Sequence, residues 1–208
     1  MNIPWAFTSI VILCACLLLF FLRYERRRTD SKEVALIASL AALAALARIP
    51  FAIIPNVQPT TFLVIMSGFV FGPQTGLMVG AFAVLVSNFF LGQGPWTPWQ
   101  MLAWGLAGAS AGCLGRVRPR LSLLEMVIFQ IIWGYLFGWL MNIWNWLALV
   151  YPLTWKTFFA TQAASAWFDT YHALGNACFV LLLGRRFQKI LERFRDRLLV
   201  TYERNDDR

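Results

Sequence analysis

Residues 91–104 read Leu-Gly-Gln-Gly-Pro-Trp-Thr-Pro-Trp-Gln-Met-Leu-Ala-Trp, an uncharged turn between two long apolar segments at 74–91 and 98–115. Each segment approaches the ~20 residues that a helix needs to cross a bilayer, so the turn between them has to lie at a membrane surface. Ordinary connecting turns are short and polar, rich in Gly, Ser, Asn or Asp. This one carries three tryptophans, two glutamine amides and two prolines that restrict the backbone. Two readings stand. The tryptophans collect where helices leave the bilayer, or the stretch is a wall that grips a bulky, partly apolar ligand with many hydrogen-bonding groups. The Pro and Gln framing favours the second, because an interfacial belt requires neither.

Working outward, the chain of 208 residues is 59% hydrophobic and 13% charged, outside the usual soluble range. Apolar runs stand at 5–22, 33–48, 59–72, 74–91, 98–115, 122–149 and 157–184. All seven read as helices, since a spanning segment must satisfy its own backbone hydrogen bonds. The third is short and ends at Gly72-Pro73. The expectation is an all-α integral membrane protein: a six-helix core at 33–184, preceded by an anchor helix and basic linker at 1–32 and followed by a basic tail at 185–208. The first run has its basic cluster after it, the opposite polarity to a cleaved signal peptide, so it reads as a retained helix. Neither the tail nor any loop leaves room for a soluble catalytic domain.

The net charge of +8 raises the question of nucleic acid, and its distribution answers against it. Sixteen of the eighteen Lys and Arg fall in 23–32, 116–120 and 185–208, at alternate connections, as the positive-inside rule expects. That places the N-terminus outside, the C-terminus in the cytoplasm, and the loops 49–58, 92–97 and 150–156 outside. The basic segments then face anionic lipid headgroups. The cysteines Cys14, Cys16, Cys113 and Cys178 lie within apolar runs with no His or carboxylate at ligand spacing, so no metal site is expected.

Besides Glu33, next to Lys32, the charged and histidine residues outside the basic segments are few: Arg48, Glu125, Lys156, Asp169 and His172. Glu125 and Lys156 sit near span ends and read as structural. Arg48 ends the second run before Ile49-Pro50 and suits a phosphate or carboxylate, from lipid or from ligand. Asp169 lies about 18 Å along its helix from the span end, where a carboxyl is costly and functional by default. Gln162, Ser165, Asp169, His172 and Asn176 recur at three- and four-residue spacing, a polar stripe that joins helices or lines a cavity. The sixth run offers Asn142, Trp144 and Asn145. Asn56 and Gln58 stand in the first outer loop, Asn88 just before the opening turn, and Gln93, Trp96, Trp99 and Gln100 within it. An Asp/His pair alone suits proton transfer, so a small intramembrane enzyme using Asp169 and His172 stays open beside a binding subunit. Phosphate-loop, dinucleotide, zinc and nucleophile–base signatures are all missing from the sequence. Ala35, Ala38, Ala42 and Ala45 give the second run one smooth face, for packing in its own bundle or for docking a separate membrane subunit.

Several stretches together resemble one family, the substrate-binding S components of energy-coupling factor (ECF) vitamin transporters. They are Arg48-Ile-Pro-Phe, Ile54-Pro-Asn-Val-Gln-Pro, Gly72-Pro73 with Gly76 and Gly80, Ser87-Asn-Phe leading into residues 92–100, Trp104-Gly105 and the alanine face. The resemblance covers roughly 33–184, leaves the anchor helix as an addition, and is strongest to the cobalamin branch. It implies a six-helix S-component core without cofactor or ATPase of its own, in a bacterial cell membrane. A transmembrane coupling protein and two ATPases would be its partners, with the alanine face docking the coupling helices. It further implies that the whole subunit reorients to carry a vitamin inward, the loops 49–58 and 92–97 acting as lids. Another vitamin or a nucleobase derivative remains an alternative substrate.

Overall fold

The computed structural model describes residues 4–26 and 30–206, with 199–206 described by their backbone alone. Arg27, Arg28 and Arg208 of the basic segments lie outside the described residues. Among the described residues the chain forms seven α-helices: α1 (Trp5–Glu25), α2 (Ser31–Arg48), α3 (Thr60–Phe71), α4 (Pro73–Leu91), α5 (Thr97–Val117), α6 (Leu123–Leu149) and α7 (Trp155–Asp206). They follow the seven apolar runs one for one. By length and composition, four stretches are long and apolar enough to cross a membrane: α1, α2 with the short 3-10 helix Pro50–Ile53 that follows it, α4, and α6. The sequence predicts seven spans, and α3, α5 and α7 differ for identifiable reasons. α3 has only 12 residues. α5 is diluted by Gln100, Ser110 and four glycines, and α7 by its polar stripe. The segment 185–206, read as a separate tail, continues α7 without a break. Nothing after Gly184 stops it, since neither Gly nor Pro occurs there and Arg, Lys, Glu and Leu favour the helix.

The short α3 sits at the centre. Every residue of it except Phe71 is buried, as expected of a helix that is apolar all round. Gly72 ends it at φ 99°, a conformation open to glycine, and Pro73 at once starts α4. Small residues then set how closely the neighbours approach. A Cβ added at Gly108 of α5 would stand 2.2 Å from the Gly76 carbonyl oxygen of α4, and one at Gly80 would stand 2.4 Å from that of Trp104. The backbones of α4 and α5 are therefore in direct contact, the same device that glycine pairs provide in membrane bundles. At the basic end, Ser122 and Glu125 form a reciprocal cap for α6, and Glu125 also pairs with Arg118 at 2.8 Å.

The alanine face divides. Ala35 and Ala38 are exposed and Ala42 is half-buried, while Ala45 has no exposed surface. Ala45 is thereby removed from the docking face predicted from spacing, because α2 closes onto α4 at this end through Arg48. The exposed part of the face is Ala35, Ala38 and Ala42.

Gly108→Ala drives a methyl group into the α4 backbone, which has no flexible end to yield. Loss of about 1–3 kcal/mol is expected, read as a lower thermal midpoint in detergent, with Cys113→Ala at an exposed position of the same helix leaving it unchanged.

Candidate functional site

The chain turns sharply after Arg48 because Pro50 cannot continue α2. The Arg48 side chain folds into the bundle, 6% exposed. Its Nε donates to Gln58 Oε1 at 2.8 Å, and its Nη1 donates to Ser87 Oγ at 2.8 Å and Asn88 Oδ1 at 2.7 Å. Its guanidinium carbon stands 4.9 Å from the centre of the Trp104 ring, within cation–π range. No carboxylate pairs with it among the described residues. A cation taken out of water loses several kcal/mol of solvation unless hydrogen bonds replace it. Here neutral acceptors from the 49–58 loop and α4 replace it, together with an indole face from α5. Asn88 passes the connection on, its Nδ2 donating to Gln100 Oε1 at 2.8 Å and Thr97 Oγ1 at 3.2 Å. Nη2 of Arg48 makes no hydrogen bond with the described residues.

A second network runs beside the first. Trp104 Nε1 donates to Thr61 Oγ1 at 2.8 Å, and Thr61 Oγ1 lies 2.7 Å from His172 Nε2. His172 Nδ1 lies 3.2 Å from Asn56 Oδ1, and Asn56 Nδ2 donates to the Phe168 carbonyl at 2.8 Å. Donor logic assigns the tautomer. Asn56 donates through Nδ2 to Phe168, so its Oδ1 accepts and His172 carries its proton on Nδ1; Nε2 then accepts the Thr61 hydroxyl proton, while the Thr61 oxygen accepts from the indole. The His172 ring, 1% exposed, stacks on Phe137, which meets Trp104 at 4.3 Å. Asn56 adopts φ 56°, which asparagine tolerates better than most residues.

A third cluster joins α6 to α7. Asn142 Nδ2 donates to Gln162 Oε1 at 2.9 Å and to Ser165 Oγ, and that hydroxyl lies 3.0 Å from Asp169 Oδ2. Asp169 is 2% exposed and its carboxylate packs where Gly138 has no side chain: a Cβ there would stand 2.1 Å from Oδ1. The polar stripe of α7 thus faces protein, as its spacing predicts.

Of the residues predicted from sequence, Arg48, Asn56, Gln58, Asn88, Gln100, Asn142, Asp169 and His172 take part in these networks. Gln93 holds the turn, donating to the Leu85 carbonyl at 3.0 Å and accepting at 3.0 Å from Thr97 Oγ1, the hydroxyl that also meets Asn88. Trp96, 38% exposed, folds its ring over Gly94. Trp144 is buried without joining a network, and Asn145 is exposed. Trp99 is buried, and its Nε1–H has no acceptor among the described residues. Sequence reasoning passed over Ser87, Thr61, Thr97, Trp104 and Phe137 as site residues. One signal was available: Thr97, Gln100 and Trp104 recur at three- and four-residue spacing and share one face of α5. Phe137 carries no such signal.

The fold and site define a class: a helical membrane protein whose interior, at the end away from the basic segments, is an amide and indole cluster around one buried cation. The family model for the substrate-specific component of ECF transporters matches residues 32–193, and the chain belongs to that family. It is therefore a substrate-binding membrane subunit of an ECF transporter, a role distinct from the transporter's ATPases. α1 lies outside the matched region. No curated protein and no solved structure matches the chain.

Thr61→Val leaves Trp104 Nε1 and His172 Nε2 without partners in the interior. A loss of about 1–3 kcal/mol for each orphaned group is expected, measured as a fall in thermal midpoint, with Thr61→Ser restoring most of it.

Proposed function

We propose that this subunit captures a vitamin, with cobalamin or a related corrinoid the leading candidate, at the cluster formed by Arg48, Asn88, Trp99 and Gln100. The observation that carries the reading is what the cluster leaves over. Arg48 is a buried cation held only by neutral groups, with Nη2 unbonded, and the buried indole N–H of Trp99, next in sequence to Gln100, lacks an acceptor among the described residues. A ligand fringed with amides and carrying one phosphodiester supplies acceptors for both, and a corrinoid has that chemistry. A smaller vitamin or a nucleobase derivative bearing an anionic group fits the cation equally and fits the many amides less well.

In this reading the site faces outward in a bacterial cell membrane, with the N-terminus outside and the C-terminus cytoplasmic, as the basic segments direct. The 49–58 loop and the 92–97 turn are its lids. Gln58 and Thr97 are the groups that release Arg48 and Asn88 when the lids part. The exposed alanines Ala35, Ala38 and Ala42 dock the helices of a transmembrane coupling protein, which two ATPases drive, and the subunit reorients to deliver its ligand inward. An enzyme using Asp169 and His172 is disfavoured by geometry. Both ring nitrogens of His172 are engaged by Thr61 and Asn56, while Asp169 turns to Ser165.

Calorimetric titration of the purified protein with cobalamin tests the substrate. Saturable micromolar or tighter binding is expected, and none at millimolar ligand removes the corrinoid assignment. Trp99→Phe should weaken binding about tenfold, the value of one hydrogen bond, while the smaller ring lowers the thermal midpoint of the ligand-free protein through lost packing alone. Asp169→Asn with His172→Gln should retain uptake in cells, whereas its abolition with binding intact would favour proton chemistry.

A further inference from the structure

α1 lies outside the family region and touches the core through one part of its length. Leu17, Phe20, Phe21 and Tyr24 make the contact, with Phe21 stacked on Phe82 of α4 at 5.5 Å. None of the apolar stretch that qualifies α1 as a span is buried. Beside this contact a hollow of about 410 Å³ opens between α1 and the starting turns of α4, with the last turns of α5 as its third wall. Arg23, Gln74 and Arg116 form one end of it, and Phe20, Leu77 and Ala109 the other. Phe20 and Leu77 also wall a second hollow of about 110 Å³, which continues along α1 past Leu17 to Leu13, opposite Met101 and Leu106 of α5. The two make one groove, cationic at its mouth and apolar along its length.

Its dimensions and chemistry match one kind of occupant. Leu13 and Arg23 are ten residues apart on α1, about 15 Å at 1.5 Å per residue, which is half the ~30 Å hydrocarbon core of a bilayer. Neither Arg23 nor Arg116 is paired with a carboxylate among the described residues. Arg116 lies over Gly72, its guanidinium 3.5 Å from where a Cβ would be, at the positive end of the 19-residue helix α4. We propose that an anionic phospholipid fills this groove. Its phosphate sits between Arg23 and Arg116, and one acyl chain lies between α1 and α5. The lipid completes the attachment of α1 to the core, supplying contacts that the protein itself leaves open at Leu13 and Cys16. A second helix in the groove would satisfy its apolar length and leave the two guanidinium groups unanswered.

The test is the thermal midpoint of the full chain in detergent with phosphatidylglycerol, phosphatidylcholine or inorganic phosphate added. Phosphatidylglycerol should raise it by about 5 °C over phosphatidylcholine, the shift expected for a ligand near a hundred times its Kd. Arg23→Gln with Arg116→Gln should abolish that difference, and Cys16→Phe, which fills the groove without touching charge, should reduce it. Arg185→Gln with Arg186→Gln, an equal loss of exposed charge on α7, should leave it intact. The proposal is overturned if the two lipids act alike, if inorganic phosphate reproduces the whole shift, or if the Arg185/Arg186 variant loses as much as the Arg23/Arg116 variant.

Discussion

Arg48 is a permanent cation held inside a membrane bundle with no counter-ion beside it among the described residues, and the arrangement of one whole end of the molecule answers to that. A guanidinium in apolar surroundings requires several acceptors at once, and α2 alone supplies none. Gln58 comes from the loop beyond Pro50, Ser87 and Asn88 from the last turn of α4, and the face of Trp104 from α5. Satisfying one charge thus fixes where α2 ends, where the loop returns and how the 92–97 turn is seated. It also explains why Ala45, one turn before Arg48, is buried while Ala35 and Ala38 stay exposed.

The two ends of the bundle are held by different physics. Where α3, α4 and α5 meet toward the basic end, glycines bring backbones into contact, and nothing there can move without opening a void. Around Arg48 the contacts are hydrogen bonds between side chains, each about 0.5–1.5 kcal/mol net, which a ligand with its own amides can replace one for one. Trp104 joins these regimes. Its indole N–H serves the His172 network, its ring serves Arg48 and Phe137, and its backbone oxygen abuts Gly80. The bundle is thus divided between side-chain contacts that can exchange at one end and a fixed body at the other.

Much of this was legible in the sequence because membranes enforce simple rules. Seven apolar runs became seven helices, and the α7 stripe of Gln162, Asp169, His172 and Asn176 is buried as its spacing required. Arg48, lone in an apolar context, is buried and held by Gln58, Ser87 and Asn88. What sequence did not yield was the pairing. Nothing in spacing brings Arg48 to Ser87, or His172 to Thr61, because those contacts join elements far apart in the chain. Gln93 and Asn145, whose residue types suit ligand binding, stand apart from these pairings: one is bonded within the 92–97 turn and the other faces outward. The continuation of α7 through 185–206 was missed because charge was read as a domain boundary, although helix propensity does not fall there.

The claim on which the account rests is that the Arg48 cluster is where this ECF subunit holds its substrate. The direct measurement is mass spectrometry of small molecules released from the protein after mild purification from its native membrane, beside an Arg48→Gln variant purified identically. The account predicts one compound, near one per protein chain, retained by the natural protein and missing from the folded variant. The same compound retained equally by both would contradict it.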